Sequence, residues 1–234
     1  MATSLPDVEK IFIGYDHRQA VAYNVLQHSI IARASRAVTI APLKLETLPI
    51  TRTGLTPFTF SRFLVPWLCR FRGKAIFMDA DMLVLGDIAE LFDLFDSKHA
   101  VQVVQLQERF EWASMILFNC AHKDNKQLTP EFVEGTATPL HKVGWTEKIG
   151  FLPGEWNHTV LYDAPRPDAK LVHFTGGIPM HPETKGCEYT EQWMQEARDM
   201  NTTQTWPGLM GHSVHAQRVM QAKIRRDIEC AAVQ

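Results

Sequence analysis

Lys74-Ala75-Ile76-Phe77-Met78 is a short apolar run that ends in Asp79-Ala80-Asp81 and continues into Met82-Leu83-Val84-Leu85. The run has the length of a buried strand. Two carboxylates at its end are costly to bury unpaired, so they must open into a cleft or hold a cation. Their hard oxygens suit Mg²⁺ or Mn²⁺, and such an ion neutralises a diphosphate. A solvated turn carrying two acids is the competing reading, and Asp-x-Asp alone does not exclude it.

The elements around this run define how it is held. Lys10 to Tyr15 reads as a first buried strand. Asp16 stands three residues before Gln19, a capping-box spacing, and Tyr23, Leu26 and Ile30 then fall on one face of a helix that runs to about Arg33. Val38 to Leu45 is a second strand interrupted by Pro42, and Arg62 to Phe71 is helical with Pro66 awkward for its interior. Asp87 and Glu90 form another capping-box pair ahead of Leu91, Phe92 and Leu94. This strand–helix alternation predicts an α/β fold with a mainly parallel sheet flanked by helices. Ligands of such sheets bind beyond the carboxyl ends of the strands, so Asp16 and Asp79 are expected on one rim. Further on, Val101 to Leu106, Ser114 to Phe118 and Leu171 to Phe174 read as strands, and Gln127 to Gly135 as a short helix. Pro139 to Pro167, rich in Gly, Pro and Trp, reads as an ordered substrate-side segment. Helices follow over Tyr189 to Met200 and from about Gly211 to Ala231. No repeat or linker divides the chain. The expectation is one domain over residues 1–234, with a nucleotide-binding half (1–100) and a substrate-side half (101–234).

Composition narrows the function classes. The 234 residues carry 24 basic and 26 acidic side chains, so no global basic field points to nucleic acid. Cys69, Cys120, Cys187 and Cys230 lie far apart and form no Cys-x-x-Cys pair, which fits a reducing cytoplasm. Met1 to Glu9 lacks the basic start and apolar stretch of a secretory signal, and no apolar run approaches the roughly 20 residues of a membrane span. His212 and His215 lack a carboxylate to complete a zinc site. Lys223, Arg225 and Arg226, interrupted by Asp227 and Glu229, read as a solvated face, with a peripheral membrane contact as the alternative.

Taken in order, the motifs resemble those of GT-A glycosyltransferases, in particular glycosyltransferase family 8. Ile11-Phe12-Ile13-Gly14-Tyr15-Asp16 is similar to the family's first strand and nucleotide loop, and Phe60-Ser61-Arg62 to the arginine-bearing helix before its central strand. Phe77 to Val84 with Asp87-Ile88-Ala89-Glu90-Leu91 resembles the metal motif and the helix after it. Ser114-Met115-Ile116-Leu117-Phe118-Asn119 resembles the next sheet segment. Leu152-Pro153-Gly154-Glu155-Trp156-Asn157 resembles a Leu-Pro-x-x-Trp-Asn signature, and His173-Phe174-Thr175-Gly176-Gly177 the C-terminal His-Phe-x-Gly motif. Two departures stand out. The last motif usually continues into Lys-Pro-Trp and here reads Ile178-Pro179-Met180, so the diphosphate lysine is either absent or supplied from elsewhere, with Lys185 the candidate. The usual Asp-Gln-Asp segment before the Trp-Asn signature is not recognisable.

The resemblance implies that Asp81 binds the metal directly, that Asp79 binds the metal, the ribose or both, and that His173 is the third ligand. Carboxylates beside an imidazole favour Mn²⁺, with Mg²⁺ as the alternative. The nucleotide-sugar site then comprises Tyr15, Asp16, Arg62, Asp79, Ala80, Asp81, Asn157, Gly176, Gly177 and Lys185. Glycines at 176 and 177 let backbone amides approach phosphate closely. Each other role has a structural rival. Asp16 is either a helix N-cap or a nucleotide contact. Tyr15 either stacks on the base or packs in the core. Arg62 either grips a phosphate or sugar hydroxyl or is a surface helix residue. Trp156 either stacks on a sugar or fills the core, and Asn157 either bonds a hydroxyl or ties down a turn. Gln107, Glu147 and Glu155 are the candidates for the group facing the anomeric carbon, and the sequence does not choose among them.

The expected function is metal-dependent, hexosyltransferase-like transfer of a sugar from a nucleoside diphosphate sugar, UDP by resemblance, to an acceptor that is a saccharide, lipid or protein, with retention of configuration. One alternative is a nucleotide-sugar-binding protein without catalysis. A sugar-nucleotide nucleotidyltransferase ranks lower, because Asp16-His17-Arg18-Gln19 lacks the glycines of a phosphate loop.

Overall fold

The structure, a computed structural model, describes residues 8–200 and 216–231. Two compact units form, Met1–Ala197 and Arg198–Gln234. The first holds the sheet and every candidate site residue. Its strands are β1 (Glu9–Gly14), β2 (Val38–Leu43), β3 (Lys74–Met78), β4 (Met82–Val84), β5 (Val101–Val104), β6 (Met115–Asn119), β7 (Ile149–Leu152), β8 (His158–Thr159) and β9 (Leu171–His173). The helices are α1 (Ala20–Arg33), α2 (Phe58–Ser61), α3 (Val65–Leu68), α4 (Ile88–Asp93), α5 (Pro130–Gly135) and α6 (Thr190–Met200). The second unit contains α7 (Ala216–Ala231). Lys223, Arg225 and Arg226 are exposed on α7, whereas His212 and His215 lie outside the described residues.

The main sheet has the order β2-β1-β3-β6-β5-β7. Pairing is parallel for β1–β2, β1–β3 and β5–β7, and antiparallel for β3–β6 and β5–β6. β6 alone therefore runs against the other five strands. This reversal sets the site, because it brings the start of β6 to the rim where β3 ends. Ile11, Ile13, Ile76, Phe77, Met78, Ile116, Leu117 and Phe118 are fully buried, as continuous apolar strands covered on both faces must be. Pro42 sits on the edge strand β2, where a missing amide donor is tolerated. A second sheet, β4-β9-β8, pairs β4 antiparallel to β9 with Met82 opposite His173.

Capping follows the sequence in part. The Asp16 side chain accepts from Arg18 N and starts a 3₁₀ turn over His17–Gln19 that leads into α1. Tyr23, Leu26 and Ile30 are buried on α1. Ser29 of the same helix donates to Leu26 O and accepts from Val84 N, tying α1 to β4. Asp87 caps α4 through Ala89 N, but Glu90 pairs with Lys170 at 2.6 Å instead of closing the box. The helix expected over Arg62 to Phe71 is broken. Pro66 falls in the first turn of α3, where it is tolerated. Left-handed backbone at Arg70 and Phe71 (φ 54° each) then ends the segment. Inside the segment read as an ordered substrate-side stretch, Ile149–Leu152 forms a strand, β7, that pairs with β5.

Gly14 closes β1 against the Phe58 ring. A Cβ there would lie 2.4 Å from two ring carbons, and Phe58 is buried. Gly14→Ala is expected to cost about 1–3 kcal/mol through overpacking. Urea denaturation checks this, and an unchanged midpoint would refute the close approach.

Candidate active site

Antiparallel pairing assembles the site from four chain segments. Asp79 follows β3, and its amide donates to Ser114 O at 2.9 Å because β6 begins opposite the end of β3. Asp81 precedes β4, His173 ends β9, and Phe174 N donates to Asp81 O at 2.9 Å. Ligand atoms of Asp79, Asp81 and His173 all lie within 4.8 Å of one another. His173 Nε2 is 3.4 Å from Asp81 Oδ1, while its Nδ1 meets Thr175 Oγ1 at 3.1 Å. The hydroxyl thus fixes the ring with Nε2 turned toward the carboxylates, the usual arrangement around a metal-binding histidine. Asp79 Oδ1 and Asp81 Oδ1 are buried without a hydrogen bond. Arg62 Nη1 lies 3.0 Å from the first and His173 Nε2 3.4 Å from the second, and two buried carboxylates this close gain further from a cation between them. The donor set therefore fits a divalent ion of the Mn²⁺ or Mg²⁺ type.

Electrostatics express the same demand. Burial, with help from the Asp81 and Glu111 carboxylates, pushes Asp79 up to about 7 against Arg62 and His173. Burial also opposes charge on His173, but Asp81 and then Asp79 outweigh it and hold the imidazole above its usual range. Arg62 is the main counter-charge. Its Nη1 lies 3.0 Å from Asp79 Oδ1 and donates to Ala113 O at 2.8 Å, and its Nε donates to Thr59 O at 3.1 Å. The guanidinium also sits 4.9 Å from the centre of the Phe77 ring. Arg62 is buried at the cleft wall, so the surface-helix alternative does not hold.

A cavity of about 560 Å³ opens over the triad. Arg18 and Arg62 bring cationic side chains to it, and Thr175, Gly176 and Gly177 bring a stretch of backbone. Gly177 has φ +114°, and a Cβ there would come within 3.0 Å of His181. An L side chain is thus disfavoured twice where backbone borders the cavity. A second cavity, of about 360 Å³, includes Gln107, Glu108, Thr159, Tyr162 and Asp163. Glu111 and Thr175 line both.

The structure separates the remaining sequence candidates. Asp16 is 1 % exposed and lines neither cavity. Its carboxylate caps the first turn and binds Arg18, whose Nη2 lies 2.6 Å away; these bonds hold it below the usual carboxylate range despite burial. Asp16 therefore acts on the cavity through Arg18. Tyr15 is half-buried, edge-on to Tyr23 at 5.4 Å, and packs against the core. Ala80 is buried between the two aspartates. Asn157 is fully buried and donates to Ser114 Oγ at 2.9 Å, behind a residue that lines the larger cavity. Trp156 is buried in the core. Lys185 is exposed and lines neither cavity, and Glu147 and Glu155 also line neither. Gln107 is the one anomeric-carbon candidate on a cavity wall.

Sequence reasoning missed Arg18, Glu111, Ser114, His141 and His181. Only Arg18 carried a readable signal, as the cation two residues after a capping acid. His141 faces Phe110 in a stacked arrangement at 4.6 Å and meets Thr59 O at 3.0 Å through Nε2. Burial, then the Arg62 charge, lowers it to about 4. A histidine that ionises less readily folded than unfolded gives stability that is full above its ordinary value, 6.5, and is lost as pH falls toward 4. His141→Asn is expected to flatten stability over that window. Parallel urea titrations at pH 4.5 and 7 test it, and an identical pH slope in the variant would remove His141 from the account.

Residues 22–131 match the family model described as glycosyl transferase family 8. Protein CDI of Arabidopsis thaliana is 37% identical, in an alignment covering 82% of this chain and 87% of that protein. The chain belongs to glycosyl transferase family 8. Solved structures of glycosyltransferases share its GT-A fold. The WbbM bifunctional glycosyltransferase superposes with a TM-score of 0.66 at 16% identity, over 90% of this chain and 52% of that one. GlyE of Streptococcus pneumoniae TIGR4 gives 0.59 at 16% identity, over 82% and 60%. The galactosyltransferase LgtC, solved with donor and acceptor sugar analogs, gives 0.56 at 15% identity, over 85% and 98%. The chain thus spans about half the length of WbbM and nearly all of LgtC. Family 8 membership makes this chain a glycosyltransferase. No helix among the described residues is long and apolar enough to cross a membrane.

Proposed function

We propose that this family 8 enzyme transfers a sugar from a UDP-sugar to an acceptor in a metal-dependent reaction that retains anomeric configuration. The observation that carries the reading is the convergence of Asp79, Asp81 and His173 under one cavity that Arg18 and Arg62 also line. Mn²⁺ held there would act as a Lewis acid on the departing diphosphate. The chain's own groups do the rest. Arg18 and Arg62 offset phosphate charge, and Gly176 and Gly177 let backbone amides come close. Thr175 keeps the His173 ring oriented. Sugar and acceptor then meet near Glu111 and Thr175, which line both cavities.

A panel of labelled UDP-sugars with Mn²⁺, Mg²⁺ or chelator, read as hydrolysis, tests the proposal without knowledge of the acceptor. Release of sugar that requires the metal is the expected result. Binding of UDP without turnover of any donor would favour a nucleotide-sugar-binding protein instead.

A further inference from the structure

Among the described residues, only two side-chain positions line both cavities, Thr175 and Glu111. Thr175 already engages His173. Glu111 sits in the 3₁₀ turn Arg109–Ser114 that precedes β6. Its backbone is held at both ends: its amide donates to Glu108 O at 2.9 Å, and its carbonyl accepts from Ser114 Oγ at 2.7 Å. Ser114 Oγ in turn accepts from the buried Asn157 amide. The Glu111 carboxylate itself has no hydrogen-bond or ion-pair partner among the described residues. It is half-buried and close enough to act electrostatically on both Asp79 and His173. A braced backbone thus presents an unengaged anion on the wall of both cavities.

We propose that Glu111 is a catalytic residue of the transfer, its carboxylate facing the anomeric carbon where positive charge develops; this rests on the transferase reading above. As the bond from the anomeric carbon to the β-phosphate oxygen breaks, its electron pair leaves on the diphosphate. The acceptor oxygen forms the new bond to the same carbon, and its proton passes to the departing phosphate oxygen. Positive charge develops on the sugar between these events, and a fixed carboxylate beside it lowers the barrier. Asn157, through Ser114, is a positioning residue for Glu111.

The test measures hydrolysis of the UDP-sugar that the wild type turns over fastest, with Mn²⁺, in Glu111→Gln and Glu111→Asp. Gln keeps the size and hydrogen-bond acceptance but loses the charge. It is expected to lower kcat roughly a hundredfold, with calorimetric affinity for UDP and Mn²⁺ within about twofold. Asp is expected to fall between Gln and wild type. Asn157→Ala should lower kcat less than Gln does and leave KM for the donor unchanged. A Glu111→Gln kcat within threefold of wild type overturns the proposal while leaving the transferase standing, as does a parallel loss of UDP affinity, which would mark Glu111 as structural. A wild type that turns over no UDP-sugar overturns both.

Discussion

Asp81→Asn is expected to abolish the strengthening of UDP binding by Mn²⁺ and to lower turnover by about 10²- to 10³-fold. The amide preserves shape and removes the charge that a hard cation needs beside it. The loss should be specific, because Asp81 touches little else. Its backbone carbonyl, which accepts from Phe174 N, is unchanged by the substitution, so the β4–β9 pairing stays in place. The neighbouring histidine reports the change independently. Without the Asp81 charge, His173 loses the strongest influence that raises it against burial, and its proton should come off at lower pH in the metal-free variant. Calorimetry of wild type and variant with and without Mn²⁺ gives four UDP affinities. Only the wild type with metal should stand apart, and four equal values would dismiss the ion from nucleotide binding.

Arg62→Met is expected to destabilise the metal-free protein by about 3–5 kcal/mol near pH 8, the cost of leaving a buried charge without its partner. Methionine fills much of the volume but cannot reach Asp79, Ala113 O or Thr59 O as a donor. The penalty should depend on pH with a definite sign. Asp79 is already pushed up to about 7, above the ordinary 3.8. A carboxyl raised on folding gives stability that is full below 3.8 and lost as pH rises through 7. Removing Arg62 raises it further and extends the loss to higher pH. The gap between wild type and variant should therefore be smaller at pH 5.5 than at pH 8.5. Adding Asp79→Asn in the Arg62→Met background should recover part of the loss, because the uncompensated charge disappears. Urea unfolding in chelator gives these numbers. Equal penalties at both pH values, with no recovery in the double variant, would mean that Arg62 acts through packing alone.

The nucleotide-side half was legible because its signals are local. Apolar runs marked β1 and β3, Asp16 and Asp87 marked their caps, and the Asp79-Ala80-Asp81 spacing marked the cleft. What the sequence did not show was strand direction. Alternating strands and helices imply parallel crossovers, yet β6 enters reversed, and direction depends on long-range pairing that no local pattern encodes. That reversal is why Ser114 and Glu111, which precede a strand, reach the rim expected only for residues that follow one. Asn157 shows a second limit. In sequence, an amide that bonds a sugar and one that braces a loop look alike; the fold adds that Asn157 is buried and bonded to Ser114. Arg18 and Asp16 show a third, since one feature served two purposes: the acid caps the helix and also holds a cation at the cavity.

The β4–β9 ladder also governs when the site comes into being. Asp79 and Asp81 emerge early in synthesis, but their histidine partner lies at the end of a strand made much later. Pairing of Met82 with His173 closes a long loop, a step whose entropy must be met before the contacts reward it. Until β9 docks, Asp79 has Arg62 beside it but Asp81 lacks its histidine partner. On the metal-dependent reading proposed above, capture of an ion by all three groups would be a late event in maturation, one that a nascent chain interrupted before Leu171 could not complete.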